Sequence, residues 1–189
     1  MRSEKVRRPV RRSRIAAKAG ATAPTGLSHV DRRGRVTMVD VGDKAITNRE
    51  ATARGLITMS RRALTAIRRR AVAKGDPLQA ARLAGIMAAK QTSTLIPLCH
   101  PLPLTHVSVD LAATPKGYRI EARVRTSAQT GVEMEALVAV AAAALTVYDM
   151  VKAIDKTMVI GDVCLVEKRG GRSGIYRRAP GGRKSPPSP

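Results

Sequence analysis

Leu104-Thr-His-Val-Ser-Val-Asp-Leu111, the turn Lys116-Gly117 and Tyr118-Arg-Ile-Glu-Ala-Arg-Val-Arg-Thr126 decide the fold. In the first segment Leu104, His106, Ser108 and Asp110 alternate with Thr105, Val107, Val109 and Leu111, a period of two that puts the two sets on opposite faces of a strand. The second segment alternates in the same way, and the pair predicts an antiparallel hairpin. Directly downstream, Thr130 to Lys156 is dense in alanine and predicts one long helix. Working outward, Met158 to Glu167 predicts a last strand. Ala51 to Met59 reads as a strand because Thr52, Ile57 and Thr58 outweigh its alanines, and Arg35 to Val41, bounded by Gly34 and Gly42, as a first one. Ser60 is the expected N-cap of a helix to about Ala73, with Ala63, Leu64, Ile67 and Ala71 on one face. Lys74-Gly75-Asp76-Pro77 stops one helix and starts the next, with Asp76 as cap and Pro77 at the first position, where its missing N–H costs nothing. That helix runs to about Thr92, and Leu78, Ala81, Leu83, Ala84, Ile86 and Met87 give it an apolar face broad enough to require near-enclosure. Strands and helices mix without strict β-α-β alternation, so the class is α+β, an antiparallel sheet with helices packed on one face.

Composition narrows the rest. The chain of 189 residues has no Phe, no Trp and three Tyr, so its core is built from Ala, Val, Leu, Ile and Met. Such a core buries little area per side chain and leans on subunit contacts. The net charge is +21, but residues 1–20 carry eight Lys/Arg against one acid and residues 168–189 carry seven against none. The ends, 1–26 and 175–189, therefore read as basic disordered extensions flanking a single domain over 27–174. Binding of nucleic acid through them would be non-specific and salt-sensitive, so no specific nucleic-acid partner is expected. Two cysteines 65 residues apart offer neither metal spacing nor a disulfide framework. No charge-free stretch of about 18–20 apolar residues is present to span a bilayer. The Arg-rich N-terminus lacks the apolar region of a secretory signal; a faint likeness to a transit peptide is outweighed by Glu4 and the scarcity of Ser, and the expected location is cytoplasmic.

Three stretches carry chemistry. Leu95-Ile-Pro97-Leu98-Cys99-His100-Pro101-Leu102 sets a thiol beside an imidazole between two prolines, which hold the pair in a rigid bend suited to a pocket wall. Thr130-Gly-Val-Glu133-Met134-Glu135 opens the long helix. Thr130 and Glu133 have capping-box spacing, whereas Glu135 reads either as a solvated first-turn acid or as a pocket residue. Tyr148-Asp149-Met-Val-Lys152 closes it. Asp149 and Lys152 lie within reach of each other, and the apolar stretch before them predicts partial desolvation, which tunes a lysine toward acid–base work near neutral pH. Glu133 and Asp149 are 16 residues apart, roughly 24 Å along one helix. One pocket does not easily take both ends, so the site is expected between subunits, with Lys74 and Lys152 as a pair that would complement across the interface if they come from opposite sides.

These stretches resemble the molybdenum-cofactor biosynthesis protein C family (MoaC), the cyclic pyranopterin monophosphate synthases, over about Leu27 to Gly174. The resemblance implies a ferredoxin-like arrangement and a hexamer built as a trimer of dimers. It implies a small-molecule substrate, (8S)-3',8-cyclo-7,8-dihydroguanosine 5'-triphosphate, converted to cyclic pyranopterin monophosphate with release of pyrophosphate. On this footing Lys152 is the general acid/base and Asp149 orients it. Lys74 and Lys168 hold phosphates, with Arg49 as a further basic position. Leu98, Cys99, His100, Glu133, Met134 and Glu135 shape the pterin-forming pocket. Lys168-Arg-Gly-Gly-Arg-Ser-Gly174 is glycine-rich enough to approach phosphates but lacks P-loop spacing and reads equally as the start of the tail. No resident cofactor is implied, although Mg2+ can accompany the triphosphate. A zinc site at Cys99, His100 and His106 is disfavoured because adjacent side chains in a stiff bend rarely converge on one metal. Cys99 lacks an orienting Asn or Asp, so a lining thiol is favoured over a nucleophile. A nucleic-acid-binding module is disfavoured by the lack of aromatic stacking residues, and a purely structural oligomer leaves Asp149, Lys152 and His100 without purpose.

Overall fold

A computed structural model describes residues 34–179, of which Thr37 onward belongs to one unit. Its elements are β1 (Thr47–Thr58), α1 (Arg61–Arg68), α2 (Pro77–Lys90), the single turn α3 (Thr92–Leu95), β2 (Leu104–Thr114), β3 (Gly117–Ala128), α4 (Glu133–Val151), β4 (Val159–Arg169) and β5 (Tyr176–Arg177). The strands form one sheet in the order β2-β3-β1-β4-β5, and every pairing is antiparallel. α4 lies against β1, β3 and β4, and α2 packs on β2 and α4, so the helices cover one face of the sheet. The α+β reading with an antiparallel sheet stands.

The core follows from small side chains. Ala136, Ala139, Val140, Ala143, Ala144 and Val147 of α4 are buried against Ala51, Ala53 and Ile57 of β1 and Ile120, Ala122 and Val124 of β3. Each alanine methyl contributes only about 0.8 kcal/mol, so packing has to come from close approach. Gly85 shows how: a Cβ there would meet the Ala139 carbonyl oxygen at 2.9 Å and a Val109 methyl at 3.0 Å, so its bare backbone lets α2 sink onto both α4 and β2. By length and composition α4 could cross a membrane, but it carries Glu133, Glu135 and Asp149 and so is not charge-free, and its buried face is the centre of the fold.

Local signals held where they were strongest. Asp76 caps α2 by accepting from the N–H groups of Leu78 and Gln79, with Pro77 in the first turn, and Ser60 caps α1 through Ala63 N–H. Other expectations are corrected. Arg35 to Val41 is not a strand apart from a single bridge residue at Val36; Val36 and Met38 are exposed, so the alternation had no core to face. α1 ends at Arg68, well before Ala73, and Arg70 takes a positive φ of 52° in the turn that follows. A bulge between Leu104 and His106 puts Leu104 opposite Thr126, on the helix-covered side with Val107, Val109 and Leu111, so the strict alternation of β2 breaks at Thr105. α2 is not enclosed, since Leu83 and Met87 are 59% and 52% exposed. Tyr176 and Arg177, assigned by sequence to the tail, pair with β4, whereas 1–33 and 180–189 lie outside the described residues.

Candidate active site

Polar side chains gather at the two ends of α4. At its C-terminal end Lys74, from the turn before α2, reaches Asp149: its Nζ lies 2.6 Å from Oδ2 and 3.1 Å from the Asp149 carbonyl oxygen. Lys152 takes the other carboxylate oxygen at 2.8 Å. One aspartate thus holds two ammonium groups. The hydrogen bonds from Lys152 and then Lys74 hold the Asp149 carboxyl down to about 2, and the bond to Asp149 raises the Lys152 pKa. All three side chains are about half exposed, so the desolvation expected for Asp149 and Lys152 is slight in the single chain and is outweighed by their mutual bond, and Lys152 is an ammonium ion there. Lys74 and Lys152 meet on one chain rather than facing each other across subunits, which corrects the sequence-based pairing.

The other end is built by the starts of β1 and α4 and the ends of β3 and β4, where Thr47 pairs with Ala128 and Glu50 with Arg169. Arg49 donates from Nε to the Ala128 carbonyl at 3.0 Å and from Nη2 to the Gln129 carbonyl at 2.9 Å. Gly171, at φ 73°, lies against this guanidinium; a Cβ there would come within 2.1 Å of Nη1, so glycine lets the loop after β4 close over Arg49 without displacing its side chain. That loop and Arg49 border a cavity of about 800 Å3 together with Lys44, Gln129, Thr130 and Arg172. Lys168 donates to Ser173 on the same rim. A neighbouring cavity of about 310 Å3 shares Gln129 and Thr130 and is walled by His100, Pro101 and Leu102. Sequence reasoning missed Lys44 and Gln129. The signals were the Gly42-Asp43-Lys44 turn ahead of β1 and a polar residue at the exit of β3, neither distinctive alone.

The acids that open α4 also differ from expectation. α4 begins at Glu133 with Val132 as its cap residue and no side-chain cap, so the capping box of Thr130 and Glu133 does not form. The Glu133 carboxylate instead folds back over Gly131, where a Cβ would lie 1.9 Å from its Oε2. Glu135 is no solvated first-turn acid: it is 4% exposed, and burial, with the Glu133 charge beside it, pushes its carboxyl up to about 7. Cys99 lies close enough to feel it: burial first, and then the Glu135 charge, raise the thiol pKa. Leu98 and Met134 are half-buried. Among the described residues no three His, Cys, Asp or Glu side chains converge as a metal set.

A sequence profile of the MoaC family matches residues 38–171, from before β1 to the loop after β4. The chain belongs to the MoaC family. It is 56% identical over 154 residues to the cyclic pyranopterin monophosphate synthase of Thermomicrobium roseum, covering 80% of this chain and 93% of that one. It is 58% identical over 154 residues to the synthase of the same name from Chloroflexus aggregans, with the same coverage. The synthase of that name from Dinoroseobacter shibae is 57% identical over 154 residues, covering 80% of this chain and 98% of that one. The MoaC match spans both poles of α4, Lys74 through Lys168 included.

The raised carboxyl of Glu135 has a measurable consequence in this MoaC chain. Its pKa rises from the ordinary 4.5 to about 7 on folding, so between those values the native state holds a proton that the unfolded state has released. Stability contributed by this group is complete below pH 4.5 and is lost as pH rises through about 7. Thermal melting of Glu135→Gln protein should show a flatter dependence across that window than the parent. An equal slope in both would place the titrating group elsewhere.

Proposed function

We propose that this chain converts (8S)-3',8-cyclo-7,8-dihydroguanosine 5'-triphosphate to cyclic pyranopterin monophosphate and pyrophosphate, as a lyase in an early step of molybdenum cofactor biosynthesis. The observation that carries the reading is the pair of lysines on Asp149, in a chain 56–58% identical to synthases of that name. Incubation with the cyclised nucleotide tests it, with pyrophosphate and the pterin product followed together; neither should form without the protein.

The substrate carries a triphosphate, and both poles offer cations for it: Lys74 and Lys152 at one, Arg49, Lys168, Lys44 and Arg172 at the other. In this reading Lys152 delivers and recovers protons, and Asp149 fixes its direction and that of Lys74. Lys74 and Lys168 bind phosphate oxygens. Leu98, Cys99, His100, Glu133, Met134 and Glu135 shape the wall against which the pterin forms. No resident cofactor takes part, and magnesium, where present, arrives with the triphosphate. The nineteen residues of α4 separate the poles by roughly 28 Å at 1.5 Å per residue, so a complete site joins the C-terminal pole of one subunit to the N-terminal pole of another. A covering subunit would also supply the desolvation that Asp149 and Lys152 lack alone, which lowers a lysine pKa toward a working range. Exposed Leu83, Met87 and Leu145 on α2 and α4 support association, and the proposed assembly is a hexamer of three dimers in the cytoplasm.

Lys74→Ala should weaken apparent substrate affinity by about tenfold or more, the range for a charged hydrogen bond. Added salt should weaken the parent as well, since a half-exposed lysine–phosphate contact is screened. Steady-state KM and a salt series measure both. An unchanged KM in the variant would return Lys74 to a purely structural ion pair.

A further inference from the structure

Asp155 is a buried carboxylate that the chemistry above does not use. It lies just beyond the end of α4. Its Oδ2 accepts from the backbone N–H of Ser60 at 2.7 Å, and its Oδ1 accepts from the backbone N–H of Thr157 at 2.8 Å and the Thr157 hydroxyl at 2.7 Å. These bonds, Ser60 first, hold its carboxyl down to about 2, so it is ionised throughout the working range of an enzyme near neutrality. Ser60 is the residue from which α1 starts, and its own hydroxyl is engaged in capping Ala63. The segment from Ser60 to Lys74 therefore meets the segment from Asp149 to Thr157 at two points. One is the Ser60–Asp155 bond; the other is the Lys74–Asp149 pair. Between them run α1 and a turn with Arg70 at positive φ, with Val72 buried in the core.

We propose that Asp155 is a positioning residue: by pinning the start of α1 to the end of α4, its carboxylate sets where Lys74 meets Asp149 and Lys152. The inference rests on the reading of those three residues as working groups, but the geometry it predicts can be measured without turnover. In Asp155→Asn one of the two positions becomes an N–H donor, and if the oxygen stays on Thr157 the amide faces the Ser60 N–H as a second donor. The tie is then lost while the volume is kept. Ser60→Pro removes the same N–H from the other side, and the Ser60 φ of −65° suits proline. Ser60→Ala, which keeps the N–H and loses the hydroxyl with its cap and its lesser bond to Asp155, is the control.

Two readouts test this on the full chain. The first is the Asp149 carboxyl titration, followed by carbon-13 NMR on aspartate-labelled protein. Asp149 is faced by Lys74 and Lys152, and its titration should move upward from about 2 in Asp155→Asn and in Ser60→Pro but stay in place in Ser60→Ala. The second is pyrophosphate release from the cyclised nucleotide. kcat/KM should fall about ten- to a hundredfold in the first two variants, the cost of misplacing a group by roughly 1 Å, and the loss from a further Lys74→Ala should shrink in the Asp155→Asn background. Folded variants with an unmoved Asp149 titration would overturn the positioning role whatever the activity. Titrations moved in these variants of a parent that itself releases no pyrophosphate would leave the role intact and overturn the functional reading instead. Should Asp155→Asn fail to fold, Ser60→Pro against Ser60→Ala decides alone.

Discussion

Lys152→Ala protein should fold, assemble and release pyrophosphate from the cyclised nucleotide at a rate lower by about 10²–10⁴, the usual contribution of a positioned acid or base. The side chain is half exposed and pairs with Asp149, so truncation removes chemistry without opening a cavity. Asp149→Ala should lose turnover to a similar degree for a different reason. Its carboxylate bridges two ammonium groups at 2.6 and 2.8 Å and offsets one of their two positive charges, and without it Lys74 and Lys152 repel each other and swing apart. Melting curves close to the parent, measured beside initial rates, separate both effects from unfolding. A Lys152→Ala protein working at the parent rate would remove lysine from the proton transfers.

Mixing two inactive proteins should restore activity when their lesions sit at opposite poles of α4. Lys152→Ala damages the C-terminal pole and His100→Ala the N-terminal one. In a dimer whose sites each combine opposite poles, a mixed pair has one site with both lesions and one with neither. After reversible dissociation and random reassembly, roughly a quarter of the sites should be intact. Lys74→Ala mixed with Lys152→Ala should regain nothing, because both lesions fall on the same pole of the same chain. This outcome reverses the one expected if the two lysines had faced each other across subunits. Light scattering should show no monomer at working concentrations. A fully active monomer would end the shared-site reading.

The sequence carried the elements whose signals are local. The β2–β3 hairpin, the caps at Ser60 and Asp76 and the alanine-dense α4 were legible because period, turn residue and cap each fix backbone conformation within a few positions. What it hid depends on distant neighbours. Arg35 to Val41 has the period of a strand, yet no buried surface receives Val36 and Met38. Thr130 has the spacing of a cap, but the Glu133 side chain turns onto Gly131 and α4 starts late. The burial of Glu135 and its effect on Cys99 arise from α4 meeting the loop after α3, a contact that no local pattern encodes. Lys74 and Asp149 were each legible as site residues, whereas their pairing across 75 residues of sequence was not.

Gly85 resting on the Ala139 carbonyl also limits how this molecule can be changed. Where helix and helix, or helix and sheet, touch through hydrogen atoms and methyls, an added carbon has nowhere to go and moves a backbone instead of a rotamer. Enlarging residues in an overpacked interior typically costs about 1–3 kcal/mol. Efforts to harden the protein against heat would therefore gain little from redesigning its centre. They have more room at the rim, in turns, helix ends and the charged lattice on the uncovered face of the sheet, where Arg54 meets Glu121 and Arg125 meets Glu50.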